Sequence, residues 1–352
     1  MTRQLKYFEA IREATVECMA ADQNVYVIGL GVPGPGAIFD TTSGLTEQFG
    51  EERVLDMPAS ENAMTNIALG AFTAGMRPIM VHQRMDFATV SMDALVNEVA
   101  KWHFMYAGKL KAPLTVRMII GRGWGQGPQH SQSLQAWFAH VPGLKVVMPT
   151  TPHDVKGMLI SSVEDDAPVI FLEHRWLYNV SGEVPEGPYR VPLDKARVAR
   201  KGKDITLAAT SYMTLESLRA AEMLDEIGID SEVIDLRCLQ PFDTQTLLDS
   251  VQKTGRLVVS DTGNTSFGIS AEVVCRVAEG AFGHMKAPPH RVALPDTPTP
   301  TTPALANLYY PRAEDIAAAA LKALGSDAVL PVGKNDIKHP LDIPDPSFTG
   351  PY

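Results

Sequence analysis

Short apolar runs recur along this chain, and stretches with helical spacing lie between them. In the first half "NVYVIGLG", "RVLDMP", "RPIMVHQ", "PLTVRMIIG", "LKVVMP" and "APVIFLEH" read as strands. Most are apolar at successive rather than alternate positions, the pattern of a strand covered on both faces. Alternation of such strands with helices predicts a parallel sheet layered by helices. A second series, "DITLAAT", "SEVIDLRCL", "RLVVSDT" and "HRVALPD", repeats the pattern and ends in a helix through "AEDIAAAALKALG". The expected fold class is therefore α/β with two doubly wound domains, and 352 residues suffice for two separate cores.

The expected boundaries are a first domain over 1–180, a linker over 181–204, a second domain over 205–325 and an extended C-terminal arm over 326–352. The linker is polar and broken by proline and glycine. The arm, "VLPVGKNDIKHPLDIPDPSFTGPY", has five prolines and no helical period, yet it keeps Leu341, Ile343, Phe348 and Tyr352. Such a segment is either disordered or lies across another surface.

A formal charge of −10 argues against nucleic acid or an anionic membrane as partner, since both attract basic patches. No apolar run approaches the roughly 18–20 residues of a membrane span, and the N-terminal "MTRQLKYFEAIREATVECMAAD" reads as an amphipathic helix rather than a signal peptide. A cytoplasmic location is expected. Three widely spaced cysteines, Cys18, Cys238 and Cys275, give no disulfide framework or zinc spacing. "GLGVPG" formally matches a dinucleotide fingerprint, but prolines and further glycines follow and no helix starts within the loop, so a structural turn is preferred. "GRGWGQGPQHSQS" lacks the Lys-Ser/Thr ending of a P-loop. A glycine-rich loop after a strand suits the wall of a ligand crevice, the alternative being a loose surface loop. No G-x-S-x-G or H-E-x-x-H motif is present.

Glu61 stands alone as a charged residue between Asp56 and Arg77, in "DMPASENAMTNIALGAFTAGMRP". Ser60 can cap a helix that begins there, and an acid in the first turn suits the helix dipole. The following residues are apolar or small on nearly all sides, as in a buried helix, so the carboxyl is expected in a partly desolvated place suited to a proton donor.

"ERVLDMPASENAMTNIALGAFTAGMRP", "DALVNEVAK", "HSQSLQAWFAHVPGLKVVMPTTPHDVKGMLISSVEDDAPVIFLEH", "EVIDLRCLQPFD" and "GRLVVSDT" resemble the β subunit of thiamine-diphosphate-dependent 2-oxoacid dehydrogenase E1 components, relatives of transketolase. The resemblance runs from about residue 3 to residue 325. It implies a transketolase-type pyrimidine-binding domain followed by a transketolase C-terminal-like domain. It also implies an α subunit that holds the cofactor's diphosphate through Mg2+ by a G-D-G…N motif, which this chain lacks. An α2β2 heterotetramer with a β–β contact, and a lipoyl-bearing E2 acceptor, belong to the same expectation.

By that resemblance Glu61 is the catalytic acid that hydrogen-bonds N1′ of the aminopyrimidine and promotes ylide formation. Phe87 packs against the pyrimidine, Leu30 and Gln83 complete the cofactor-binding set, and His130 is the second catalytic residue. Leu114, Ser162, Val163, Asp165 and Ala167 match positions that hold a structural K+ in several family members. Leu30 and Gly31 stand where the family usually has acids, and "VHQRMDF" also departs from pyruvate enzymes. Arg84 there either pairs with an anionic substrate or forms an ion pair near Asp86 or with a partner chain. The C-terminal arm, longer than usual, is expected to clasp the α subunit or its twin. The implied substrate is a 2-oxoacid or a ketose. The alternatives are a transketolase-like or acyloin-forming subunit, and a catalytically silent interaction subunit.

Overall fold

The structure is a computed structural model and describes residues 2–34, 36–123, 125–331 and 338–348. The chain divides into two compact units, residues 1–120 with 137–193, and residues 121–136 with 194–352.

The first unit contains β1 (Thr2–Lys6), β2 (Val25–Gly29), β3 (Val54–Asp56), β4 (Arg77–His82), β5 (Thr115–Ile120), β6 (Lys145–Val147), β7 (Val169–His174) and β8 (Ser181–Pro185). Six of these form a parallel array in the order β6-β7-β5-β4-β2-β3. Every residue of β2, β5 and β7 is buried, as their unbroken apolar character requires. The chain leaves β2 for β3 on one side and returns to β4 on the other, so the winding direction reverses between β2 and β4. Gly29 ends β2 because nothing larger fits: a Cβ there would lie 2.4 Å from the Val81 carbonyl oxygen.

The helix Pro152–Glu164 starts as its sequence predicts, with proline in the first turn and Thr151 Oγ1 accepting from the Asp154 amide at 3.0 Å. Its buried Lys156 reaches Glu17 at 2.9 Å and also contacts Glu13, joining this helix to Tyr7–Ala21. The pattern at 89–106 does not give one continuous helix. It is divided into a 3-10 turn at Thr89–Ser91, a π-helical stretch at Ala94–Val99 and an α-helix at Ala100–Met105. Residues 2–6, read as helical, form an edge strand instead. They pair antiparallel with β8 from Thr2↔Pro185 to Lys6↔Ser181, a partner too remote in sequence to leave a local signal.

The second unit contains β9 (Arg197–Arg200), β10 (Ile205–Ala209), β11 (Ser231–Asp235), β12 (Cys238–Gln240), β13 (Leu257–Asn264) and β14 (His290–Leu294). Its sheet runs β14-β13-β10-β11-β9, parallel except for β9. Ile205, Leu207, Val233, Val258, Ile316 and Ala320 are among its core residues. Residues 181–204 thus include two strands, β8 and β9.

The C-terminal segment lies against the second unit of its own chain. Leu341, Ile343 and Phe348 are buried. Arg312 donates to the carbonyls of Leu341 at 3.2 Å, Ile343 at 2.9 Å and Pro344 at 2.9 Å, and the Leu341 amide donates to Asn307 Oδ1. These bonds supply the backbone partners that a proline-broken segment cannot obtain from a sheet. Tyr352 lies outside the described residues.

Candidate functional site

Open parallel sheets bind ligands beyond the carboxyl ends of strands where the winding reverses. In the first unit that point is the gap between β2 and β4. A cleft lies there, lined by Leu30 after β2, His82 and Gln83 at the end of β4, Pro58, Glu61, Met64, Val81 and Phe87. Glu61 opens the helix Glu61–Thr73, and Phe87 sits in the short helix Met85–Ala88 that follows β4. The structure therefore brings together Glu61, Leu30, Gln83 and Phe87. His130 belongs to the second unit, in a 3-10 turn at Gln129–Ser131.

Glu61 is half-buried. Ser60 stands at the N-cap with extended φ of −148°, but its side chain makes no capping bond, so the expected cap is absent. The acid at 61 is thus not one half of a capping arrangement. Nor is its helix buried on all sides. Met64, Thr65, Ala68 and Phe72 face the core, whereas Asn62, Ala63, Asn66 and Ile67 are exposed within this chain. Helical periodicity separates the two faces despite their similar lack of charge.

Gln83 donates to the Leu30 carbonyl at 2.9 Å and ties the end of β4 to the end of β2. Gly31 explains the missing acid at its position. Its φ of +72° is left-handed, and a Cβ would lie 3.2 Å from Gln83 Nε2. Its amide donates to Asp56 Oδ1 at 2.7 Å, so an acid from β3 reaches the same turn. The next helix begins only at Leu45, which removes the geometry a dinucleotide fingerprint needs.

In sequence His82 is just one residue of "VHQRMDF", yet it is 2% exposed and lines the cleft with Glu61. Burial pushes its pKa down to about 4, so the ring is neutral at pH 7. Its Nε2 has no hydrogen-bond partner among the described residues. Arg84 does not line the cleft. Its side chain is buried and its guanidinium carbon lies 5.7 Å from the Phe39 ring centroid, with Arg175 at 4.4 Å from the same ring. His174 is buried too, and its pKa falls to about 3 through burial and then the Arg84 charge.

The segment carrying His130 is held, not loose. Arg122, fully buried, donates to the carbonyls of Pro300 at 2.5 Å and Thr301 at 2.8 Å and pairs with Asp342 at 2.9 Å. Farther along, Ser131 Oγ donates to the Gly127 carbonyl at 2.8 Å and Gln135 Nε2 to Asp261 Oδ1 at 2.8 Å. Trp124 lies outside the described residues.

Of the residues expected to hold K+, Val163 and Asp165 already serve a cation through their carbonyls. Arg77 Nη1 donates to the carbonyls of Val163 and Asp165, both at 3.1 Å, and Arg77 Nη2 pairs with Asp166 at 2.7 Å. The Leu114 carbonyl accepts from the Val169 amide, and the Ser162 carbonyl from the Asp165 amide. An alkali ion on the Val163 and Asp165 carbonyls would sit against the guanidinium, so those two do not fit K+ as arranged. Among the described residues no group of three or more His, Cys, Asp or Glu could hold a metal ion, and no helix is long and apolar enough to cross a membrane.

Residues 3–181 match the model of the transketolase pyrimidine binding domain, and residues 194–316 that of the transketolase C-terminal domain. The β subunit of acetoin:2,6-dichlorophenolindophenol oxidoreductase from Cupriavidus necator is 42% identical, covering 92% of this chain and 98% of that protein. This chain belongs to the E1 β-subunit family. The Bacillus subtilis protein of the same description is 38% identical over 94% of this chain and 100% of its own length. The pyruvate dehydrogenase E1 component subunit beta of Staphylococcus epidermidis is 40% identical over 89% of this chain and 96% of its own. The fold is shared with a solved split-gene transketolase described as an inactive beta4 tetramer, at a TM-score of 0.73, 24% identity and coverage of 92% and 99%. The two-domain α/β architecture is thus that of the transketolases.

Proposed function

We propose that this chain is the β subunit of a thiamine-diphosphate-dependent enzyme that cleaves the bond beside the carbonyl of a 2-oxoacid or 2-hydroxyketone. The observation that carries this reading is the convergence of Glu61, Phe87, Leu30, Gln83 and His82 in one cleft at the β2/β4 reversal. A half-buried carboxyl, an aromatic ring, aliphatic walls and a neutral buried imidazole fit a flat nitrogen heterocycle such as the aminopyrimidine. An α-type subunit completes the site in an α2β2 assembly and holds the diphosphate through Mg2+. Family membership and the absence of G-D-G from this chain support that division.

When bound, the cofactor would supply an electron sink for the bond broken beside the substrate carbonyl. The chain's own residues do the rest. Glu61 shares a proton with N1′ of the aminopyrimidine and so sets the tautomer of the ring. Phe87 covers the ring face, and Leu30 and Met64 exclude water. Gln83 keeps the two strand ends together through the Leu30 carbonyl. By the family resemblance, His130 handles the carbanion intermediate or its acyl acceptor. The resulting group passes to a lipoyl-bearing E2, or an artificial oxidant takes its two electrons and water takes the acyl group as the free acid.

The test is co-expression with an α-type subunit and assay against 2-oxoacids and acetoin with 2,6-dichlorophenolindophenol as acceptor. Glu61→Gln is expected to lower turnover about 10²–10⁴-fold, the range for loss of a positioned proton donor, with unfolding unchanged. Undiminished turnover in Glu61→Gln would remove the assigned role. A second reading, a silent interaction subunit, is favoured by Leu30 and Gly31 in place of acids. It predicts a complex that binds thiamine diphosphate and turns over none of these substrates.

A further inference from the structure

The C-terminal segment has no part in the function so far derived, yet its contacts are those of a built element. Two buried arginines hold it. Arg312 collects the carbonyls of Leu341, Ile343 and Pro344, on either side of Asp342. Leu341 and Ile343 bury their side chains, and the Leu341 amide is fixed by Asn307. The backbone is thus gripped before and after one acid. That acid pairs with Arg122, at 0% side-chain exposure for the arginine and 6% for Asp342.

Arg122 lies at the start of the segment 121–136 that carries His130. It also donates to the carbonyls of Pro300 and Thr301, so its guanidinium joins three pieces of the second unit. A buried guanidinium without its counter-charge is strongly unfavourable, and removal of the acid therefore acts on Arg122 and through it on the loop. The loop is also secured by the Gly121 amide donating to the Gln132 carbonyl at 3.1 Å and by Gln135 donating to the Asp261 carboxylate.

We propose that Asp342 is a positioning residue: the C-terminal segment acts as a strap that holds the His130 loop in its working geometry through the buried Asp342–Arg122 pair. The strap touches neither substrate nor cofactor. It fixes the entry point of the loop and thereby limits the places that His130 can occupy. This rests on the reading of His130 as part of the active site.

The experiment uses the α–β complex carrying Asp342→Asn, which keeps the side chain's size, and Asp342→Glu, which keeps its charge. Hydrogen exchange of residues 121–136 is the direct readout and needs no activity. Asp342→Asn is expected to speed exchange there at least tenfold and to lower kcat at least fivefold, with KM and the Kd for thiamine diphosphate within twofold of the parent. Asp342→Glu is expected to restore most of both. Unchanged loop exchange in Asp342→Asn would overturn the strap itself. Faster exchange with kcat intact would overturn the positioning role and, with it, the place given to His130, while leaving Glu61 untouched. If the parent complex turns over no substrate, the proposed function fails, and loop exchange still decides whether the strap holds.

Discussion

Glu173 offers a stringent test of how the sheet beneath the cleft is held. It sits on β7 at 0% side-chain exposure and accepts from Arg117 of β5 at 2.5 and 3.0 Å and from the Tyr178 hydroxyl at 2.6 Å. Glu173→Ala would leave a guanidinium buried without its counter-charge, which costs about 3–5 kcal/mol, and would orphan the tyrosine hydroxyl for about 1–3 kcal/mol more. Partial relaxation brings the expected loss to about 4–6 kcal/mol. For a unit of this size each kcal/mol lowers Tm by about 2–4 °C, so the expected drop is about 8–24 °C in a calorimetric scan. The triple change Arg117→Met, Glu173→Leu, Tyr178→Phe removes every polar member at similar volume, and it should come within about 1–2 kcal/mol of the parent. If the triple variant is as unstable as Glu173→Ala, unpaired charge is not the cause, and the reasoning fails. A drop under about 2 °C in Glu173→Ala would refute the magnitude.

Gly29→Ala places a methyl 2.4 Å from the Val81 carbonyl at the β2/β4 junction. Overpacking of this kind costs about 1–3 kcal/mol, and because it spreads the cleft it should weaken thiamine diphosphate binding by the complex as well as lowering Tm. Stability should also fall with acid. His82 and His174 keep pKa values of about 4 and about 3 when folded, against 6.5 when unfolded. Below pH 6.5 the unfolded chain takes up protons that both native rings refuse, so each subtracts about 1.4 kcal/mol per pH unit down to its folded value. Urea midpoints between pH 7 and 5 should show this slope, and His82→Gln should remove roughly half of it; an unaltered slope would mean that His82 is not held neutral by burial.

Much of the architecture is legible in local pattern. Strands such as "TVRMII" and "VIFLEH" are apolar throughout because helices cover both faces, and Pro152 with Asp154 marks a helix start without help from the fold. Glu61 is conspicuous because nothing else nearby carries charge. Other features depend on contacts that local sequence does not record. β1 looks like a helix end until β8, some 180 residues on, supplies its partner. Arg77 reads as a routine charge before a strand, whereas its guanidinium serves two carbonyls more than eighty residues away. His82 was visible but carried no spacing signal, since a single buried imidazole belongs to no motif. The tail's apolar residues did signal a surface to cover. Which surface was decided by Arg312 and Arg122, each remote from it in sequence.

Residues 121–136 belong to the second unit although they interrupt the first. Neither half is therefore an uninterrupted stretch of polypeptide. A break near 193 would strand Arg122 and Gln135 on the wrong fragment, away from Thr301 and Asp261. Evolution or engineering that swaps the trailing half for a relative's must also exchange this sixteen-residue excursion. Chimeras joined only at the apparent boundary should inherit a mismatched loop.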